Sequence, residues 1–119
     1  LTKGLFLDII LVDKKLKKSA NEWRKLVRSY GQRQAEVIRR RLDELKAADN
    51  LAVVRSIPQA RCHELKGNRK GQLAVDLAHP YRLILEPDHN PIPTTEDGRL
   101  DWAGVSKIRV MEVEDYHGK

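Results

Sequence analysis

The sequence predicts an α+β domain of the order β-α-α-β-β-β-β, with a helical hairpin packed on one face of a mainly antiparallel sheet, from three observations. A short branched-chain run occupies residues 5–12, apolar residues recur every three or four positions from Leu16 to Leu45, and alternation of period two takes over beyond Arg61. A chain of 119 residues has the size of one ordinary domain, so residues 1–119 are expected to share a single core and one main site.

The first run, LFLDIILV, is bounded by Gly4 and Asp13, which favours a strand inside the sheet, covered on both faces. It is far shorter than the ~20 residues that a membrane helix needs, so no membrane association is expected. Leu16, Ala20, Trp23, Val27 and Tyr30 then form one stripe of a helix that stops at Gly31. A second stripe, Ala35, Ile38, Leu42 and Leu45, puts Arg39, Arg40 and Arg41 mostly on the outer side and ends near Asp49-Asn50. A short helical turn through LAVVRSI halts at Pro58, which lacks a backbone donor.

The remainder reads as sheet. RCHEL is a short strand and KGNRKG a glycine-punctuated turn; Leu73, Val75 and Leu77 then alternate with Ala74 and Asp76. His79-Pro80 makes a corner, after which Tyr81, Leu83 and Leu85 lie opposite Arg82 and Ile84, leaving one sheet face open for a site. Residues 87–102, PDHNPIPTTEDGRLDW, carry three prolines and an Asp-Gly turn signal and form a long surface loop. In the last strand, roughly Lys107 to Tyr116, Ile108 and Val110 share one face but Met111 and Val113 the other. Either both faces are covered or a bulge shifts the phase.

Lysine and arginine total 23 against 17 acidic residues, for a net charge of +6. The excess is uneven: residues 1–72 hold 18 cations and 8 anions, and residues 73–119 hold 5 and 9. That imbalance points to an acidic partner, nucleic acid first, or to a surface that is merely basic. Lys14, Lys15, Lys17 and Lys18 oppose the dipole of a helix that starts beside them. Ser19 and Glu22 also fit a capping box that would start the helix later and leave those lysines in a loop. The single cysteine, Cys62, excludes an internal disulfide and suits a reducing cytoplasm. Phosphate-binding and dinucleotide loops, H-E-x-x-H and cysteine clusters are all missing from the sequence, so neither cofactor nor metal is expected.

RCHELKGNRKG concentrates Arg61, Lys66, Arg69 and Lys70 with His63 and Asn68 in eleven positions and is read as a holder of RNA phosphate. Cleavage of RNA requires a base to take the 2′-hydroxyl proton, cations around the crowded phosphorus and an acid for the departing 5′-oxygen. His63 and His117 are the candidate proton carriers, in either order. Arg82 is the candidate phosphate fork, Tyr116 can stack on a base or share a proton, and Asp115 can orient an imidazole or a nucleotide. Against these stand plainer roles: His63 as a half-buried strand residue, Arg82 paired with Asp76 or Glu86, and His79 and His89 as solvated loop residues.

With RCHELKGNRKGQLAVDLAHPYRLIL and the terminal EVEDYH, the chain resembles the RelE/ParE toxin superfamily, and within it the HigB-like plasmid-maintenance killer proteins, over nearly its whole length. The resemblance implies a RelE-like fold and a toxin of a type II toxin-antitoxin system, a ribosome-dependent mRNA endoribonuclease. It implies as partners a cognate helix-turn-helix (HigA-like) antitoxin, the ribosome with its mRNA, and operator DNA through the antitoxin. By motif it carries function onto His63, Arg82, Asp115, Tyr116 and His117. A ParE-type toxin that binds DNA gyrase without cutting RNA, or an inactive homologue that only binds its antitoxin, is the alternative on the same fold. The loop at 87–102 is longer than in short HigB proteins.

Overall fold

Branched residues favour extended backbone, and the run at 5–12 forms β1 (Asp8–Leu11) in a computed structural model that describes residues 6–116. β1 pairs in parallel with β5 (Lys107–Asp115), setting Ile9 opposite Ile108 and Leu11 opposite Val110. It is an edge strand, not the internal one that its composition predicts. Ile9 and Leu11 pack against the core, whereas Ile10 at 53% and Val12 at 44% exposure face out.

Asp13 caps the next helix, its carboxylate accepting from the Leu16 amide at 2.9 Å, so α1 (Lys14–Ser19) holds all four lysines. The alternative capping box does not form. Ser19 Oγ donates back to the Lys15 carbonyl at 2.9 Å, and Glu22 precedes α2 (Trp23–Tyr30) without a side-chain cap. Leu16 is buried and Ala20, Val27 and Tyr30 pack against the core as their spacing predicts, but the break between α1 and α2 turns Leu26 inward and leaves Trp23, expected in the same stripe, 38% exposed. Gly31, at φ 81°, permits the turn into α3 (Gln32–Ala47). Ala35, Ile38, Leu42 and Leu45 are buried there as their spacing predicts.

Arg41 is a correction. It lies inward, 5% exposed, and its guanidinium donates to the Asp76 carbonyl at 2.7 Å, the Gln59 carbonyl at 2.8 Å and the Glu44 carboxylate at 3.1 Å. Gln34 makes a second tie, accepting from the Ala78 amide at 2.9 Å and donating to its carbonyl at 3.3 Å. The segment after α3 forms a further helix, α4 (Leu51–Arg55), capped by Asn50 on the Val53 amide. α4 is the short helical turn that LAVVRSI predicts, and the break after Ser19 divides the first arm of the expected hairpin in two, so the layer has four helices among the described residues.

β2 (His63–Glu64), β3 (Leu73–Asp76) and β4 (Tyr81–Pro87) complete a mixed five-stranded sheet of order β1-β5-β4-β3-β2, antiparallel except at β1–β5. Leu73, Val75, Leu83, Leu85, Ile108 and Val110 form one apolar cluster with Leu16, Leu26, Ile38 and Leu45 from the helices. Each such side chain contributes about 1.5–3 kcal/mol on burial. The phase conflict in β5 resolves as a bulge. Ile84 faces Glu112 while Leu85 faces Val110, so Met111 is the extra residue and Val113 returns to the inner face opposite Leu83.

The long connection after β4 is anchored. Thr94 bridges Leu100, Gly98 at φ 84° completes the turn that the Asp-Gly pair signals, and Arg55 stacks 4.5 Å over the Trp102 ring. His89 is not a solvated loop residue: its Nε2 accepts from the Ser106 and Lys107 amides at 3.1 and 3.3 Å. Among the described residues no helix is long and apolar enough to cross a membrane.

Candidate functional site

Strand parity assigns the sheet face turned away from the helices. His63 lies opposite Ala74, which lies opposite Ile84 and then Glu112; two residues along, Asp76, Arg82 and Glu114 form a second row. Ala74 and Ile84 are fully buried yet outside the main apolar cluster, so this face has a small apolar floor with charged residues around it. The turn between β2 and β3 adds cations. Together Asn68, Arg69, Lys70, Gln72, Arg82 and Glu86 line a concavity of about 640 Å³.

The backbone sets the state of His63. Arg61 takes a left-handed conformation at φ 46°, and its carbonyl lies 2.7 Å from His63 Nδ1. A carbonyl can only accept, so Nδ1 carries a proton and donates. The neutral ring therefore has its lone pair on Nε2, in an exposed side chain at the sheet edge, the tautomer that a general base requires. His63 is not part of the concavity's wall: its Cα lies two strands from that of Arg82, roughly 10 Å across the sheet and 7 Å along it. That gap is on the scale of a nucleotide.

Arg82 is held on two sides. Its Nε and one terminal nitrogen each lie 2.7 Å from the Glu114 carboxylate, and its guanidinium stacks 4.7 Å from the centre of the Tyr116 ring. Arg69 reaches the same Glu114 carboxylate, with Glu112 at 3.5 Å and the Gln72 side-chain oxygen at 2.8 Å. Gln72 passes the chain on to Glu86 at 2.8 Å, and Arg109 bridges Glu86 at 2.9 Å and Asp88 at 2.6 Å. Burial acts to raise the Glu114 carboxyl, but the hydrogen bond and charge of Arg82, joined by Arg69, outweigh it and hold the group below its ordinary range. Glu86 is lowered by the Gln72 hydrogen bond first and by Arg109 next.

The structure thus brings Asn68, Arg69, Lys70 and Arg82 around one concavity with Tyr116 beside the arginine. Lys66 and Lys70 are exposed and have no carboxylate within ion-pair distance among the described residues, while Arg61 pairs with Asp76 at 3.5 Å. Asp115 lies opposite Tyr81, on the face away from Arg82, and His117 lies outside the described residues. Sequence reasoning missed Glu114. It offered Asp76 or Glu86 as partners for Arg82, and only the bulge at Met111 sets the register that places Glu114 there.

Searches against family models and curated proteins found no match for this chain.

Proposed function

We propose that the protein is a HigB-like toxin of the RelE/ParE superfamily, with a RelE-like fold, that cleaves mRNA on the ribosome by general acid–base chemistry. The observation that carries this reading is His63: an exposed imidazole held with Nε2 as its lone-pair nitrogen, on the sheet face that also carries Arg82 and the cationic turn. In the proposed reaction Nε2 takes the 2′-hydroxyl proton, the oxygen attacks the neighbouring phosphorus, and the 5′-oxygen leaves as it receives a proton. Lys70 and Arg82 offset the charge on the phosphoryl oxygens. With His63 as the base, the other histidine that the resemblance associates with catalysis, His117, is the candidate proton donor, and Tyr116 beside Arg82 is the alternative. A helix-turn-helix antitoxin and, through it, operator DNA are the partners on this reading, and the cytoplasm is its setting.

A second reading has its own observation. Glu114 already engages both Arg69 and Arg82, which suits a ParE-type gyrase-binding toxin or an inactive homologue that has no need of a vacant phosphate fork. Purified protein added to translating ribosomes, with mRNA ends mapped, and in parallel to a gyrase supercoiling assay, separates the readings. New mRNA ends that disappear with His63→Ala support the nuclease; loss of supercoiling without new ends supports the gyrase-binding toxin, and neither effect supports the inactive homologue.

A further inference from the structure

The proposed reaction uses the sheet face, yet most of the positive charge lies on the other side of the molecule. α1 and α2, KKLKKS and WRKLVRSY, contain seven cations and no acidic residue. α3 adds Arg33, Arg39, Arg40 and Lys46, all exposed, against three acids outside its buried stripe. Of these eleven exposed cations only Lys25 has an ion-pair partner among the described residues, Glu22 at 2.7 Å. On the sheet face, by contrast, the four arginines Arg61, Arg69, Arg82 and Arg109 are each matched by a carboxylate, which leaves Lys66 and Lys70 of the turn unpaired among the described residues. Two of the helical cations oppose helix dipoles, whereas Lys17, Lys18, Arg28 and Lys46 lie in last turns that favour them. None of the three first turns holds an acidic residue, and Lys14 and Arg33 stand where each helix dipole is positive. Eleven like charges on one surface, ten of them without an ion-pair partner among the described residues, repel one another, and a polyanion would offset that repulsion.

We propose that the outer surface of α1–α3 is a docking face for the phosphate backbone of duplex nucleic acid. The inference goes beyond the cleavage chemistry and does not depend on it. Trp23, exposed and with Arg39 5.6 Å over its ring, supplies an aromatic contact beside the cations. An anionic membrane fits less well, because interfacial helices pair their cations with an apolar face, and Trp23 is the one large exposed hydrophobic side chain on α1–α3 among the described residues.

The test is fluorescence anisotropy with a short RNA duplex, the same duplex in DNA, and phosphatidylserine vesicles. Wild type is compared with a triple variant, Lys14→Gln, Lys17→Gln and Lys18→Gln. The control removes the same charge elsewhere through Arg55→Gln, Arg99→Gln and Lys107→Gln, all exposed and outside both the helical face and the sheet-face concavity. The helical variant is expected to bind duplex at least about tenfold more weakly, with a salt slope smaller by roughly three, and the control to change affinity by less than about threefold. RNA affinity above DNA affinity, or the reverse, identifies the duplex class. Acetylation of wild type with and without duplex gives a second reading that needs no variant: Lys14, Lys17 and Lys18 become protected and Lys107, exposed on the sheet, does not. Equal weakening by both variants, absence of duplex binding at low salt, or helical-lysine protection by vesicles and not by duplex overturns the proposal.

Discussion

Glu114 combines 6% exposure with a full charge, and two guanidiniums converge on it from a strand and a turn. Glu114→Gln keeps the volume but removes the charge that both arginines face, with an expected loss of about 1.5–3 kcal/mol in chemical denaturation at neutral pH. The pH dependence has a definite sign. Glu114 and Glu86 both have folded-state pKa values lowered from 4.5, so their stabilisation is complete above that value and is lost as pH falls through the lowered values. Denaturation midpoints taken down an acid series are expected to fall more steeply for wild type than for Glu114→Gln. Cys62 behaves as a core residue: burial pushes its thiol up to about 12, against a small opposing effect of Arg55. Folded protein at neutral pH is therefore expected to resist maleimide, with labelling tracking unfolding. At this scale the sequence made the cationic turn and Arg82 legible as residue types, but not the partner of Arg82. That partner depends on a register which single residues do not carry.

At the scale of elements, α3 was readable because four apolar residues at helical spacing met one uninterrupted helix. The α1–α2 break was not, since Leu16, Ala20 and Trp23 continue an apolar rhythm across it while the Asp13 cap and the Ser19 back-bond close α1 early. β1 departs from its expected place for a related reason: Ile10 and Val12 have the composition of a covered strand but lie on a face that no other described residue buries. The bulge in β5 yields a prediction. Removing Met111 leaves Val110 opposite Leu85 and Glu112 opposite Ile84, with inner and outer positions alternating throughout. This deletion is expected to keep the fold, with the Leu83–Val113 and Leu85–Val110 contacts intact by NMR. Deleting Ile84 shifts one half of β4 by one position, turns its core side chains to solvent and is expected to abolish cooperative unfolding.

Over the whole molecule, the helical layer is joined to the sheet by polar contacts as well as by the apolar cluster. Arg41 binds the carbonyls of Asp76 and Gln59 from inside α3, so Arg41→Met leaves two acceptors unsatisfied, at an expected cost of about 2–4 kcal/mol in urea unfolding. The same attachment fixes the two surfaces on opposite sides, a sheet face that carries His63 and ion-paired arginines and a helical face whose cations are mostly unpaired among the described residues. The charge asymmetry along the chain was visible in the sequence, but its division between faces was not, because it follows from which side of the sheet the helices cover. His63→Ala removes an exposed side chain and is expected to alter stability by less than about 0.5 kcal/mol.

The chemistry of the cut ends tests the central claim most directly. Attack by the 2′-hydroxyl leaves a 2′,3′-cyclic phosphate on one fragment and a 5′-hydroxyl on the other, so fragments from translating ribosomes should accept a 5′ adapter only after kinase treatment. The yield should fall about 10²–10⁴-fold with His63→Ala. Fragments bearing 5′-phosphates, or undiminished cleavage by the folded variant, would contradict the role assigned to His63.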